Sequence, residues 1–170
     1  MSDPLFQPTL QEHGSPERDL PPWAASSFRA NAEAPWNLSS QFWVAFLGGI
    51  VAIGTIAYLN AGRLRMSSRA RTLIVALTLA FWAAWTWIFF LVWTGRVEGD
   101  KSTARLVARV SAVILYLLLA TIQKKADRAW RMFSGRGYDP LSKAGFAAAL
   151  AGWAIQMIPV ATLYYTVGPP

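Results

Sequence analysis

Long apolar stretches alternate with short polar ones along this chain. Four runs, 42–60, 72–94, 106–122 and 144–167, hold no Asp, Glu, His, Lys or Cys, and Arg109 is the one charged residue inside them. A hydrocarbon core of about 30 Å needs about 20 helical residues at about 1.5 Å rise. The first, second and fourth runs meet that length. The third is shorter, and Arg105 and Arg109 extend it, because their stems can lie in the apolar phase while their heads reach water. The pattern predicts an all-α polytopic membrane protein with four transmembrane helices, at about 42–60, 72–94, 105–122 and 142–167. Three spans plus a buried or re-entrant segment is the alternative. The spans form one transmembrane domain, 37–170, behind an N-terminal tail, 1–36.

Local signals place the helix ends. A polar residue of Asn37, Ser39 or Ser40 can cap the first helix, and Asn60, Ala61 and Gly62 suit a left-handed stop. Ser67 or Ser68 can cap the second helix, and Asp100 or Ser102 the third. Asp139 and Pro140 read as cap and first helical residue of the fourth. Pro159 should kink that helix. The third helix should run on past the membrane. Ile122, Ala126, Trp130 and Phe133 share a face away from the basic residues, so 123–134 reads as an interfacial basic segment.

The spans are rich in packing surface. Ala45, Gly48, Gly49 and Ala52 in the first, and Gly145, Ala148, Ala149 and Gly152 in the fourth, are helix-packing candidates, since small residues let backbones approach closely in lipid. In the second span Thr78, Trp82, Trp85, Phe89 and Trp93 recur at helical spacing and form an aromatic stripe. A small stripe, Ala76, Ala80, Ala83 and Ala84, lies elsewhere on that helix and is expected to meet another span of the chain. The aromatic stripe would then face lipid, another protein or a flat hydrophobic ligand such as a quinone, carotenoid or lipid tail. Otherwise no cofactor is indicated.

The tail is Pro-rich and acidic. It has six of the ten prolines and few large apolar residues, so it reads as disordered or partner-bound. Trp23 and Trp36 read as interfacial anchors or as short motifs docking on a partner.

The net charge of +7 is concentrated at span ends, which points to orientation and anionic lipid rather than to nucleic acid. In a four-span arrangement the two loops joining spans one to two and three to four carry ten Lys and Arg: Arg63, Arg65, Arg69, Arg71, Lys124, Lys125, Arg128, Arg131, Arg136 and Lys143. The other side carries six. That imbalance makes the basic loops cytoplasmic and puts both termini outside.

Chemistry is sparse. There is no cysteine, and the single histidine, His13, lies in the tail. No metal site, catalytic triad or phosphate-binding glycine loop is assembled, so no catalytic or metal residue is assigned and an enzyme is not expected. Asp127 reads as a solvated partner of Lys124 or Arg131. Gln156 reads as an interhelical hydrogen-bonding residue, and Arg109 as a snorkelling one.

Phe46, Gly48 and Gly49, followed by Asn60, Leu64 and a basic stretch, resemble a pattern in small uncharacterised multi-spanning bacterial membrane proteins. The resemblance covers 42–71, with Ile50 and Val51 where that pattern has a proline. It implies a bacterial inner-membrane origin and no activity. The expected function is a non-enzymatic accessory or scaffold subunit binding other membrane subunits and lipid through helix faces. The alternative is a small homo-oligomeric transporter, channel or lipid-handling protein.

Overall fold

The computed structural model describes residues 33–97, 101–134 and 137–167; the tail before residue 33, with Trp23 and His13, lies outside them. Four helices follow one another: α1 (Gln41–Arg63), α2 (Ser68–Trp93), α3 (Lys101–Ser134) and α4 (Ser142–Val167). Each contains a stretch long and apolar enough to cross a membrane. There is no strand among the described residues, only a single bridge between Trp36 and Asp139. The protein is an all-α integral membrane protein, as the apolar pattern requires.

The first helix is not a straight rod. A continuous helix would place Asn60 about 28 Å from Gln41. Trp36 precedes Gln41 by a stretch that can span at most about 17 Å. Yet the Trp36 backbone N–H donates to Oδ1 of Asn60 at 2.7 Å. On a continuous helix, Cβ atoms four residues apart stand about 5–6 Å from each other. A Cβ placed on Gly48 would instead fall 2.5 Å from that of Ala52. Both observations require the chain to fold back, and it does so at Gly49, whose φ of 77° and ψ of −163° interrupt the helix. That backbone region is essentially reserved for glycine. So α1 is a hairpin: residues 41–48 enter the bundle and 50–63 leave it.

The small residues make this hairpin possible and seat it on α4. A Cβ on Gly48 would also collide with the Ala149 backbone, one on Gly152 with the Ala52 backbone, and one on Gly145 would press on Val44. Ala45 and Ala52 are buried, and Ala148 packs beside Ala52. On its other sides the hairpin meets α2 and α3, through a core that includes Ile50, Ile53, Ile74, Trp85, Leu115 and Leu119. Contacts between α2 and α4 are few, because the hairpin stands between them.

Several local expectations are corrected. Asn60 does not stop a helix; it is fully buried within one, and the positive φ falls at Arg65. Ser40 makes no side-chain cap; Asn37 Oδ1 takes the N–H and hydroxyl of Ser39 in a turn before the helix. Ser67 does cap α2, accepting from the Ala70 N–H at 3.3 Å. Asp139 does not cap α4, which starts at Ser142; its carboxylate is drawn to Arg63 instead. The small stripe Ala76, Ala80, Ala83 and Ala84 is exposed, while Trp85 is buried. The hairpin meets the other face of α2, where Gly54 comes so close that a Cβ on it would lie 2.9 Å from that of Thr78. Segment 123–134 continues α3 without a break, and Gln123, Asp127 and Trp130 on it are buried against the chain itself.

Candidate functional site

The hairpin fills one end of the bundle. At about 1.5 Å per residue, Gly49 lies about 21 Å from the end marked by Arg63, while α2 is about 39 Å long. Beyond the hairpin tip, α2, α3 and α4 therefore enclose space that no helix fills. A cavity of about 520 Å³ occupies it, within the range of about 300–1,000 Å³ usual for small-molecule sites.

Its floor is the tip, with Phe46, Leu47 and Gly49. One wall is the aromatic stripe of α2, where Trp85 stacks on Phe89 (5.6 Å between centroids) and Phe89 tilts on Trp93 (5.5 Å). A second wall is the start of α3, with Arg105, Ala108 and Arg109. The third is α4, with Trp153, Gln156, Met157 and Val160. Arg109 sets its guanidinium 5.8 Å from the centre of the Phe46 ring. Gln156 packs its amide against Gly49, where a Cβ would lie 2.5 Å from Oε1. Its Nε2 is buried without an acceptor, as are the indole N–H groups of Trp85 and Trp93. The interhelical hydrogen bond expected of Gln156 is thus not made by this nitrogen, because the residue facing it is a glycine.

A second depression, of about 570 Å³, lies outside the bundle between α2 and α4 and is lined by Trp82, Trp87, Phe90 and Pro159 among others. It carries no charge.

The opposite end of the bundle holds a polar network. Asn60 Nδ2 donates to Gln123 Oε1 at 2.8 Å, and Gln123 Nε2 to the Ala57 carbonyl at 3.2 Å. Arg63 pairs with Glu33 at 2.6 Å and Asp139 at 2.9 Å, donates to the Ala34 carbonyl, and lies 3.9 Å over the Trp36 ring. Trp36 therefore docks on its own chain, 4% exposed, rather than on lipid or a partner. Asp127 is 1% exposed, not solvated; it accepts from Arg131 and from the Tyr138 hydroxyl, each at 2.8 Å. Burial, and then the hydrogen bond to Asp127, pushes the Tyr138 hydroxyl up to about 12, with Arg131 opposing. These charged and amide groups are paired within the chain, which makes the network scaffold, while Gln41 Nε2 and the Trp130 indole N–H at this end are buried without acceptors.

The structure thus gathers Gly49, Trp85, Phe89 and Trp93 around one cavity, with Trp82 in the outer groove. It spends Gly48, Ala52, Gly145 and Gly152 on seating the hairpin. The basic residues Arg65, Arg69, Lys124, Lys125 and Arg128 are exposed, and Arg71 is half-buried. Arg105 belongs to the site and was legible only as a span end; that it lines one cavity with Gln156 depends on the hairpin stopping short. Among the described residues, no group of three metal-ligating side chains converges. Comparison with protein-family models, curated proteins and solved structures finds no match.

Proposed function

We propose that this is a lipid-handling membrane protein that holds an amphiphilic molecule in the cavity above the hairpin tip. The observation that carries this reading is the cavity itself, an aromatic wall facing two arginines over a floor made by a broken helix. Broken helices at membrane depth are tolerated where they line a cavity, and transporters build their sites on them. The reading involves no catalytic step. By the positive-inside rule the end bearing Arg63, Lys124, Lys125 and Arg128 is cytoplasmic, and the cavity opens toward the other face. A bacterial inner membrane suits that arrangement.

Replacing Ala108 on the cavity wall by Trp fills the space from the α3 side. Wild-type protein purified in mild detergent should retain about one amphiphile per chain in native mass spectrometry. Ala108→Trp should lose it while staying monodisperse. An identical retained complement in both proteins would count against the cavity as the site.

The reading as an accessory subunit is favoured by a separate observation, the wide apolar groove between α2 and α4 beside Pro159. The same preparation tests it. A stoichiometric foreign membrane protein lost on replacing Ala83 in that groove by Trp supports a subunit, and its absence opposes one.

A further inference from the structure

We infer that the occupant of the cavity is an amphiphile with an anionic headgroup, a carboxylate or phosphate, seated at Arg105 and Arg109 with its apolar tail along the aromatic wall. The inference rests on the reading of this cavity as a ligand site.

The polar equipment of the cavity is one-sided. Arg105 and Arg109 stand one turn apart on α3, and among the described residues no acidic side chain lines the cavity with them. Among the described residues, neither forms an ion pair with a carboxylate, and Arg109 has only the Phe46 ring. Cations near the apolar phase usually pair or snorkel out. Arg105, at the span end, can reach water. Arg109 lies about 6 Å deeper, where an anion would supply the missing partner. Guanidinium groups suit carboxylate and phosphate because they present a planar fork of donors.

The uncharged polar groups lean the same way. The Trp85 and Trp93 indole N–H groups and Gln156 Nε2 are donors without acceptors, and Trp85 is only 7% exposed. Buried donors left unpaired cost free energy that an acceptor recovers. The hairpin does not reverse this bias. One half-helix ends and the other begins at Gly49, so their opposed partial charges largely cancel there. The sign of the site is set by its arginines, and the aromatic wall continues from them to the floor as a surface for a tail.

The test is a headgroup series on one chain length: alkyl carboxylate, alkyl phosphate, alkanol and alkyltrimethylammonium, with inorganic phosphate alone as a further probe. Binding to the full chain is titrated in non-ionic detergent. Both anionic amphiphiles should bind at least about tenfold tighter than the alkanol. The ammonium compound should bind more weakly than the alkanol, and inorganic phosphate should not compete. In the double variant Arg105→Gln, Arg109→Gln the anionic preference should vanish while alkanol binding persists, which also shows that the variant is folded. Equal binding of alkanol and anions, or a preference that survives in the double variant, overturns the inference and leaves the lipid-handling reading standing. Competition by inorganic phosphate as strong as by the alkyl phosphate overturns the role of the tail. Failure of every member to bind overturns the inference and the lipid-handling reading together.

Discussion

Gly49 is the residue on which the bundle turns. Its backbone conformation is closed to other residues, and a Cβ there would meet the Gln156 amide at 2.5 Å. Gly49→Ala should destabilise the protein by about 3 kcal/mol or more, from backbone strain and overpacking together, and should lower the apparent Tm in detergent by several degrees. Asn60 is the second such residue. Its amide serves the Trp36 N–H and Gln123 at once, inside a fully buried site. Asn60→Leu strands both partners and should cost about 2–3 kcal/mol in the same scan. Tyr138 gives a pH dependence. Its hydroxyl is raised from 10 to about 12, so the folded state holds the neutral phenol more tightly than the unfolded state does. That contribution is intact below pH 10 and is lost as pH rises from 10 toward 12. The stability difference between wild type and Tyr138→Phe should shrink across that window. None of these roles was legible locally. Asn60, Ala61 and Gly62 look like a helix stop because the signal for a stop is short-range, whereas the partners of Asn60 lie 24 and 63 residues away.

At the scale of elements, length and apolarity located all four helices, because each must bury or solvate its backbone within one segment in lipid. They did not reveal the hairpin. A run of apolar residues with two adjacent glycines reads equally as a straight span with a small face or as two half-helices. The choice is made by Gly145, Ala149 and Gly152 on α4, which let residues 41–52 come close enough to fold back. Gly152→Leu should therefore unseat the hairpin, since even a Cβ there lies 2.8 Å from the Ala52 backbone nitrogen. Loss of a monodisperse peak in size-exclusion chromatography is the expected outcome, while replacing the exposed Ala154 by Leu on the same helix should be tolerated. The two faces of α2 were assigned the wrong way round for a related reason. Small residues do set the close approach, but the small residue is Gly54 on the hairpin, which meets Thr78 on the aromatic face of α2, and not the alanine stripe.

For the whole molecule, three long helices and a hairpin that enters from the basic end account for both the cavity and its polarity. The hairpin gives the bundle a closed end, where Arg63 pairs with Asp139 and Asn60 with Gln123, and an open end where, among the described residues, Arg105 and Arg109 pair with no carboxylate. It also brings Glu33–Trp36 to the same end as the basic loops, whereas a straight first span would put them across the membrane. Because the chain has no cysteine, this difference can be measured directly. Single cysteines at Ser39, before α1, and at Ser68, at the start of α2, are both exposed positions. With a membrane-impermeant maleimide applied to sealed vesicles of known orientation, a hairpin at Gly49 predicts that both are labelled from the same face. Labelling of Ser39→Cys from one face and Ser68→Cys from the other would mean a straight first span, and would contradict the hairpin and the cavity built on it.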